Sequence, residues 1–318
     1  NTTNSNVGGT QIQGANSNSY TPPIFNTTGN YYYYCEVSLS GNGCDNMTSA
    51  VAEIQVFPDP IVTDPYTPQE LCENATATDL QVVASGGIPG GPFNYQWYSN
   101  TTNSNVGGTQ IQGETNPTYT PSTVASGTTY YYCVVQQNNG NTGCESVSNT
   151  AIVIVTPGPS FNVPLPDIQV CEGATISALT VSYSNGVGTA SYQWYSNAVN
   201  STTGGTILIG ETNPTYTPST LTVGTTYYYC TLTLTGGGCP QIASNAAEVI
   251  IHPDPTINTP PITDTICIGG TISTPLQVTY TNGIGNPTYQ WYTNTTNSNV
   301  GGTQIQGANS NSYTPPIF

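Results

Sequence analysis

Residues 94–136 read NYQWYSNTTNSNVGGTQIQGETNPTYTPSTVASGTTYYYCVVQ. A tryptophan-centred run and a tyrosine run ending in cysteine are separated by Gly, Asn, Pro, Ser and Thr, the residues that punctuate strands. The same landmarks recur along the chain. Trp97, Trp194 and Trp291 are spaced by 97 and 97 residues, and Tyr20, Tyr119, Tyr216 and Tyr313 by 99, 97 and 97. GETNPTYTPST occurs at 113–123 and again at 210–220, and Cys35, Cys133 and Cys230 each close a tyrosine run. A fixed period of this size marks tandem units.

A longer repeat encloses the shorter one. Residues 1–25, NTTNSNVGGTQIQGANSNSYTPPIF, return letter for letter as residues 294–318. This predicts a window, slightly more than one 293-residue superperiod long, on a longer tandem array. Unit boundaries are expected at Pro58-Asp59-Pro60, Pro157-Gly158-Pro159 and Pro253-Asp254-Pro255, where paired prolines end a strand and stiffen a short linker. Two complete units then span 58–156 and 157–252. Residues 1–57 are the back half of a third unit, and 253–318 the front half of its next copy.

Each unit reads as all-β. In the first, strands are expected at Ile61–Asp64, Asp79–Ser85, Phe93–Ser99, Thr109–Gln112, Thr118–Thr120, Thr128–Gln136 and Ser146–Val155, with Ala151, Val153 and Val155 on one face. Turn-forming clusters at 86–91 and 138–143 separate the runs. Seven short strands in roughly 100 residues suit a β-sandwich with its own core. Trp97 with Tyr131-Tyr132-Cys133 matches the immunoglobulin arrangement of a buried tryptophan facing a Tyr-x-Cys strand. The fold expected is a linear array of tandem immunoglobulin-like sandwiches, with Trp97, Trp194, Trp291, Tyr131 and Tyr228 in their cores and Tyr131 as the corner tyrosine.

The runs CENATATDLQVVASGG, NYQWYSN, YTPSTVASGTTYYYCVVQQ and GCESVSNTAIVIV resemble the immunoglobulin-like repeats of giant secreted adhesins from Bacteroidota, including gliding-motility adhesins. The likeness extends to every unit. It implies secretion, display at the cell surface, and service as spacer, adhesin or filament subunit. Asp264-Thr265-Ile266 resembles the O-glycosylation signal of the same bacteria.

Composition removes whole classes of chemistry. The chain holds no Lys or Arg against 16 Asp plus Glu, for a formal charge of −16. Without basic patches, nucleic acid and anionic membranes are not expected partners. Schiff-base lysines, arginine clamps, phosphate-binding lysine loops and lysine isopeptide crosslinks are excluded. Trypsin-like proteases find no cleavage site. With 36% hydrophobic residues and 23 Tyr, a folded β structure is expected rather than disorder, and no apolar run reaches transmembrane length.

Nine cysteines fall three to a unit: Cys72, Cys133, Cys144; Cys171, Cys230, Cys239; and Cys267 with Cys35 and Cys44 of the split unit. Metal-type CxxC spacing is absent, so disulfides are the expectation in a secreted chain. Three per unit is odd, so a cysteine either bonds outside its unit or stays reduced. Cys72 is expected at the turn preceding the second strand, at one end of the sandwich, with Cys144 at the other, on the order of 25 Å away at about 3.3 Å per residue. Successive units would bring opposite ends together. That suggests Cys72–Cys239 across the junction, with Cys44, Cys144, Cys171 and Cys267 meeting equivalent partners beyond the window. Cys35, Cys133 and Cys230 would then be buried thiols. Two alternatives stay open: hairpin bonds Cys35–Cys44, Cys133–Cys144 and Cys230–Cys239, or a displaced Cys72–Cys133 pin.

No enzyme is indicated. His252, the single histidine, precedes Pro253 at a boundary, and the acids are scattered singly rather than paired for hydrolysis. Asp59, Asp64, Asp167, Asp254 and Asp264 cluster at junctions and are weak calcium candidates; no other cofactor is expected. Sequons such as Asn26-Thr27-Thr28 are expected by chance in so Asn- and Thr-rich a chain. Tyrosine ladders at 31–34 and 130–132 should put half their rings in the core and half on the outer sheet, in cross-strand pairs. The sequence therefore predicts an extracellular structural protein: a filament, fibre or adhesin stalk whose partners are further copies of the same repeat, covalently continuous or joined end to end. In the end-to-end case one chain's front half completes another's back half. The alternatives are repeats that themselves bind glycans or abiotic surfaces, or a passive spacer displaying a terminal domain.

Overall fold

The computed structural model describes residues 1–41, 43–64, 66–137 and 143–317. Its elements are strands throughout, in two compact units, Asn1–Thr156 and Pro157–Phe318. Each holds one six-stranded sheet with its ribbons, and residues 1–57 and 253–318 form further two-stranded ribbons.

In the first sandwich the main sheet runs Thr109–Gln110, Asn94–Asn100, Gly127–Gln136, Ala151–Thr156, Gln69–Cys72, and Glu145–Val147 also pairs with Gly127–Gln136. Asn94–Asn100 is termed here the tryptophan strand, Gly127–Gln136 the cysteine strand and Ala151–Thr156 the closing strand. Two small ribbons complete the sandwich, Pro60–Thr63 with Val83–Gly86 and Leu80–Gln81 with Thr118–Tyr119. The second sandwich repeats this order with Thr206–Ile207, Thr189–Asn197, Gly224–Thr235, Ala247–His252 and Ile168–Cys171.

Aromatic and β-branched residues dominate the central strands because a half-buried pleated surface suits them. The register sets Cys133 opposite Trp97 and Cys230 opposite Trp194. Both tryptophans and both cysteines are fully buried, among Leu80, Val82 and Val135 in the first core and Leu179, Val181 and Ala247 in the second. The expected alternation of Ala151, Val153 and Val155 is the buried face of the closing strand. Tyr131 is buried against Tyr119, with ring centroids 5.3 Å apart, and half-buried Tyr228 packs equivalently on Tyr216 at 5.4 Å. The hydroxyl that reaches the backbone belongs to the next residue: Tyr132 accepts the Gly108 N–H at 3.0 Å while its ring stacks on Tyr98 at 5.2 Å. Outward tyrosines are thus consumed in cross-strand pairs. Gly108 has no room for a side chain there, since a Cβ would lie 2.7 Å from the Ser99 carbonyl oxygen.

The tryptophan also organises the loop that comes after it. Its indole N–H donates to the carbonyl of Asn116 at 2.9 Å, and Trp194 and Trp291 repeat the bond to Asn213 and Ser310 at 2.8 Å. The preceding glutamine, Gln96, Gln193 or Gln290, donates to the carbonyl of Ile111, Leu208 or Ile305 at 2.8 Å. Asn100 then holds its own loop through the carbonyls of Ser104 and Val106, as do Asn1, Asn197 and Asn294 in theirs.

Three expectations need correcting. Gln69–Cys72 is a strand, paired in parallel with the closing strand; Cys72 ends it rather than lying in a turn. The run expected at Ser146–Val155 breaks between 147 and 151 because Ser148 turns inward, its hydroxyl accepting the Cys133 N–H at 2.9 Å. The run Asp79–Ser85 divides at Val82, whose N–H bonds to the Pro117 carbonyl instead. The turn expected at 138–143 lies, apart from Gly143, outside the described residues. A fourth correction concerns the core: Trp291 is only half-buried, because its strand pairs with Thr303–Gln304 alone among the described residues.

Replacing Trp97 removes both a buried ring and the donor to Asn116. Trp97→Ala should destabilise the first sandwich by about 3–5 kcal/mol and leave the second untouched. Urea unfolding followed by near-UV circular dichroism would show one transition moved and one retained; two shifted transitions would refute independent cores.

Candidate functional site

The features not consumed by the two cores are the ends of the sandwiches, where the remaining cysteines stand. The motif Cys-x-Asn/Gly-Ala/Gly-Thr makes the same turn three times. Ala75, Ala174 and Gly270 donate their N–H groups to the carbonyls of Cys72, Cys171 and Cys267 at 3.1, 3.1 and 2.9 Å. The third residue is left-handed, Asn74 at φ 63°, Gly173 at 74° and Gly269 at 76°, a conformation Gly and Asn tolerate best. Thr123 and Thr220 close the turn from outside through the carbonyls of Ala75 and Ala174. Cys72 is thereby fixed, fully buried, beside the end of the closing strand, with Thr156 as its register partner. Cys171 has the same relation to His252.

The opposite end carries the hairpin cysteine. In the second sandwich the Val187 N–H donates to Cys239 Sγ at 3.1 Å, and the neighbouring Gly186 N–H donates to the carbonyl of Pro157 at 2.9 Å. In the first sandwich the buried Gln137 side chain binds the backbone of Ile88 and Gly91, and the Gln137 backbone N–H donates to the Cys144 carbonyl at 3.0 Å. Each end of a sandwich thus holds a cysteine in its own local frame of backbone bonds.

Cys72 and Cys239 are disulfide-bonded, whereas Cys35, Cys44, Cys133, Cys144, Cys171, Cys230 and Cys267 carry free thiols. The register explains why the hairpin alternatives do not form. Ser148, not Cys144, lies across from Cys133, with its N–H on the Cys133 carbonyl, and Ser49 and Ser244 occupy the same place for Cys35 and Cys230. Nor does the displaced Cys72–Cys133 pin exist: Cys133 remains a thiol among apolar side chains. Burial pushes the Cys133 and Cys230 thiols from 9.0 up to about 12, against a smaller lowering by backbone contacts at Gln96 and Gln193. They are poor nucleophiles.

The junction acids do structural work where they are engaged. Asp64 accepts the Asn149 N–H at 2.7 Å and its side-chain amide at 3.0 Å, and Asp167 accepts the Glu248 N–H at 2.7 Å, so each ties the entering chain to the start of the closing strand. Asp264 accepts from Thr265, and Asp59 and Asp254 are exposed. Among the described residues no three His, Cys, Asp or Glu side chains gather as a metal-holding group. His252 contributes its carbonyl to Glu172 at the end of the closing strand. Sequence reasoning missed Gln137, whose isolated polar side chain gave no periodic signal.

Residues 66–157 and 165–253, one stretch in each complete sandwich and together more than half of the chain, match the family described as domain of unknown function (DUF8696). No curated protein sequence matches. Among solved structures the chain is similar to Sidekick-1 immunoglobulin domains 1–5 (18% identity, TM-score 0.37, 79% of this chain and 52% of that one). It is also similar to the I-band fragment I67–I69 from titin (13%, 0.41, 81% and 87%) and to the three N-terminal domains of the highly immunogenic outer capsid protein of bacteriophage RB49 (14%, 0.38, 70% and 88%). The chain spans about half the length of the Sidekick-1 fragment.

The raised thiols have a pH signature. From pH 9 to about 12 the unfolded chain releases protons that folded Cys133 and Cys230 retain, so stability is complete below about 9 and falls as pH rises. Tyr119 and Tyr216, raised by burial from 10.0 to about 12, act in the same direction. Urea midpoints should decline across that window, less steeply in the Cys133→Val/Cys230→Val variant; equal slopes would contradict the assignment.

Proposed function

This chain belongs to the DUF8696 family, and we propose that it is a load-bearing stretch of an extracellular tandem array, the shaft of a cell-surface filament, fibre or adhesin stalk. The adhesin repeats of Bacteroidota remain the resemblance that suits it. Its work is mechanical: each unit encloses its own core, short proline linkers limit bending, and disulfides carry tension past the linkers. In this reading the repeating units are 58–156 and 157–252, flanked by 1–57 and 253–318.

The single observation that carries this reading is that Cys72 and Cys239, one in each unit, are the disulfide-bonded cysteines while the other seven carry free thiols. We assign them to each other, as a staple across the junction. Cys171 and Cys267, in the same turn, and Cys44 and Cys144, on the same hairpin, are the halves of equivalent staples with further repeats. Disulfides belong to oxidising compartments, and a chain without Lys or Arg offers trypsin-like proteases nothing to cut. A surface of charge −16 keeps neighbouring shafts apart. Tyrosines already stacked on one another favour packing over glycan capture.

Peptic digestion without reductant should yield the Cys72–Cys239 peptide pair. In single-molecule stretching, reduction should add roughly 580 Å of extensible contour, about 3.5 Å for each residue between the sulfurs. Cys72→Ser should lower stability by up to about 4–5 kcal/mol, the value for closing so long a loop without strain. An unchanged contour on reduction would defeat the staple.

A further inference from the structure

Each complete sandwich repeats the same aromatic array. In the first, the Trp97 and Tyr119 ring centroids lie 5.6 Å apart with their planes at 32°, and Tyr119 and Tyr131 lie 5.3 Å apart at 47°. In the second, Trp194, Tyr216 and Tyr228 repeat the steps at 5.6 Å and 34°, then 5.4 Å and 43°. Both indoles are fully buried, whereas Tyr119 and Tyr216 are half-buried. The array therefore leads from a dry interior to a phenol that meets solvent. Packing asks only for volume at these places; an indole inside and a phenol outside also set a direction for electron transfer.

What each ring is bonded to decides where a missing electron would settle. The indole N–H groups of Trp97 and Trp194 donate to the carbonyls of Asn116 and Asn213. An amide carbonyl is too weak a base to take that proton, so an oxidised indole stays a cation radical and a strong oxidant. Cys133 and Cys230, opposite the indoles, are no better placed to give up a proton: their thiols donate to the Val134 and Thr231 carbonyls at 3.6 and 3.5 Å. Tyr66, 6.4 Å from Trp97, donates its hydroxyl to Ser148 Oγ. The outer phenols differ. Burial first, then Tyr131 and the Glu114 charge, push the Tyr119 hydroxyl up to about 12; burial, Tyr228 and Glu211 do the same for Tyr216. A carboxylate thus stands near each of these hydroxyls. Its backbone is pinned in place, because the main-chain N–H groups of Trp97 and Trp194 donate to the Glu114 and Glu211 carbonyls at 3.1 Å. At Trp291 the residue in that position is Ala308. A negative charge stabilises a cation radical beside it, and the chain has no Lys or Arg to oppose one.

We propose that Trp97–Tyr119 and Trp194–Tyr216 are electron-relay sites, in which a one-electron oxidation begun at the buried indole passes to the half-buried phenol and the phenol's proton passes to Glu114 or Glu211. The oxidant is dioxygen acting on the light-excited indole. The excited ring gives one electron to dioxygen, which becomes superoxide, and is left as the cation radical. Tyr119 returns one electron to that radical and releases its hydroxyl proton to the Glu114 carboxylate. The sum is one electron from Tyr119 to dioxygen and one proton from Tyr119 to Glu114, with the indole N–H and the Cys133 thiol unchanged. Trp194, Tyr216 and Glu211 act alike. The tyrosyl radical, reached by solvent, is restored to the phenol by a hydrogen atom from a small reductant such as ascorbate. The core is spared, because the radical leaves the indole before oxygen adds to its ring. The relay belongs to each sandwich and stands apart from the stalk reading.

The test uses the whole chain carrying Trp291→Phe, so that only the two complete sandwiches report. Flash photolysis at the red edge of tryptophan absorption, in air-saturated buffer, should show the broad indole-radical band decaying as the narrow tyrosyl band grows at the same rate. In Tyr119→Phe/Tyr216→Phe the tyrosyl growth should vanish and the indole radical should live at least tenfold longer. Digests after prolonged illumination should then show oxygen added at Trp97 and Trp194 well above the level in the parent chain. Transfer in the parent should slow in heavy water, since a proton moves with the electron. Glu114→Gln/Glu211→Gln keeps every ring and should slow transfer several-fold in ordinary water; if the phenylalanine variant fails to fold, this variant decides alone. An indole-radical lifetime equal in the parent and the phenylalanine variant would overturn the proposal. So would a transfer rate untouched by the two glutamine substitutions.

Discussion

Both complete sandwiches are arranged around one contact, the tryptophan of one central strand against the cysteine of the next. The indole fills the space between the sheets, and its N–H reaches a carbonyl nineteen residues further along the sequence. That single bond draws the loop segment carrying Asn116 or Asn213 back over the core and sets the height at which Tyr119 or Tyr216 enters it. Cysteine is small enough to leave the indole that volume, and the serine of the following strand fixes its backbone. Trp291 and Cys35 keep the same local bonds although Trp291 is half-buried and Cys35 is exposed.

The survival of local bonds explains what could be read from the sequence. Trp97, Tyr119 and Cys133 mark positions where a large or sulfur-bearing side chain is demanded, so their spacing revealed the repeat and with it the fold. Ala151, Val153 and Val155 alternate cleanly because their strand has one dry face. Gln69–Cys72 escaped notice for the opposite reason. It is four residues long, lies at a sheet edge and carries Gln69 and Glu70, so no alternation stands out; only its parallel partner identifies it. Ser148 and Val82 interrupted runs that looked continuous, since a backbone turning to serve a distant N–H or carbonyl leaves no pattern in the residues beside it.

The cysteines divide into two chemical populations for reasons of place. Those on the central strands are surrounded by hydrocarbon and hold their protons. Those at the ends are held by turns and loops outside the two cores. Spacing alone distinguished the groups, but the choice among partners needed the register, because Ser148 and Cys144 differ only by their distance along the same hairpin. Acids at the boundaries took a similar course: Asp64 and Asp167 serve backbone amides of their own sandwich.

A buried thiol facing an indole also acts as a fuse. While the sandwich is closed, the sulfur of Cys133 is out of reach of any oxidant. Any opening that separates the sheets removes the burial that keeps it protonated and brings it within reach of an oxidant. Carried by that oxidant to a sulfinic acid, the sulfur would no longer fit opposite Trp97, and the opened sandwich would not re-form. Each sandwich opened in the presence of such an oxidant would thus keep a chemical trace of having come apart.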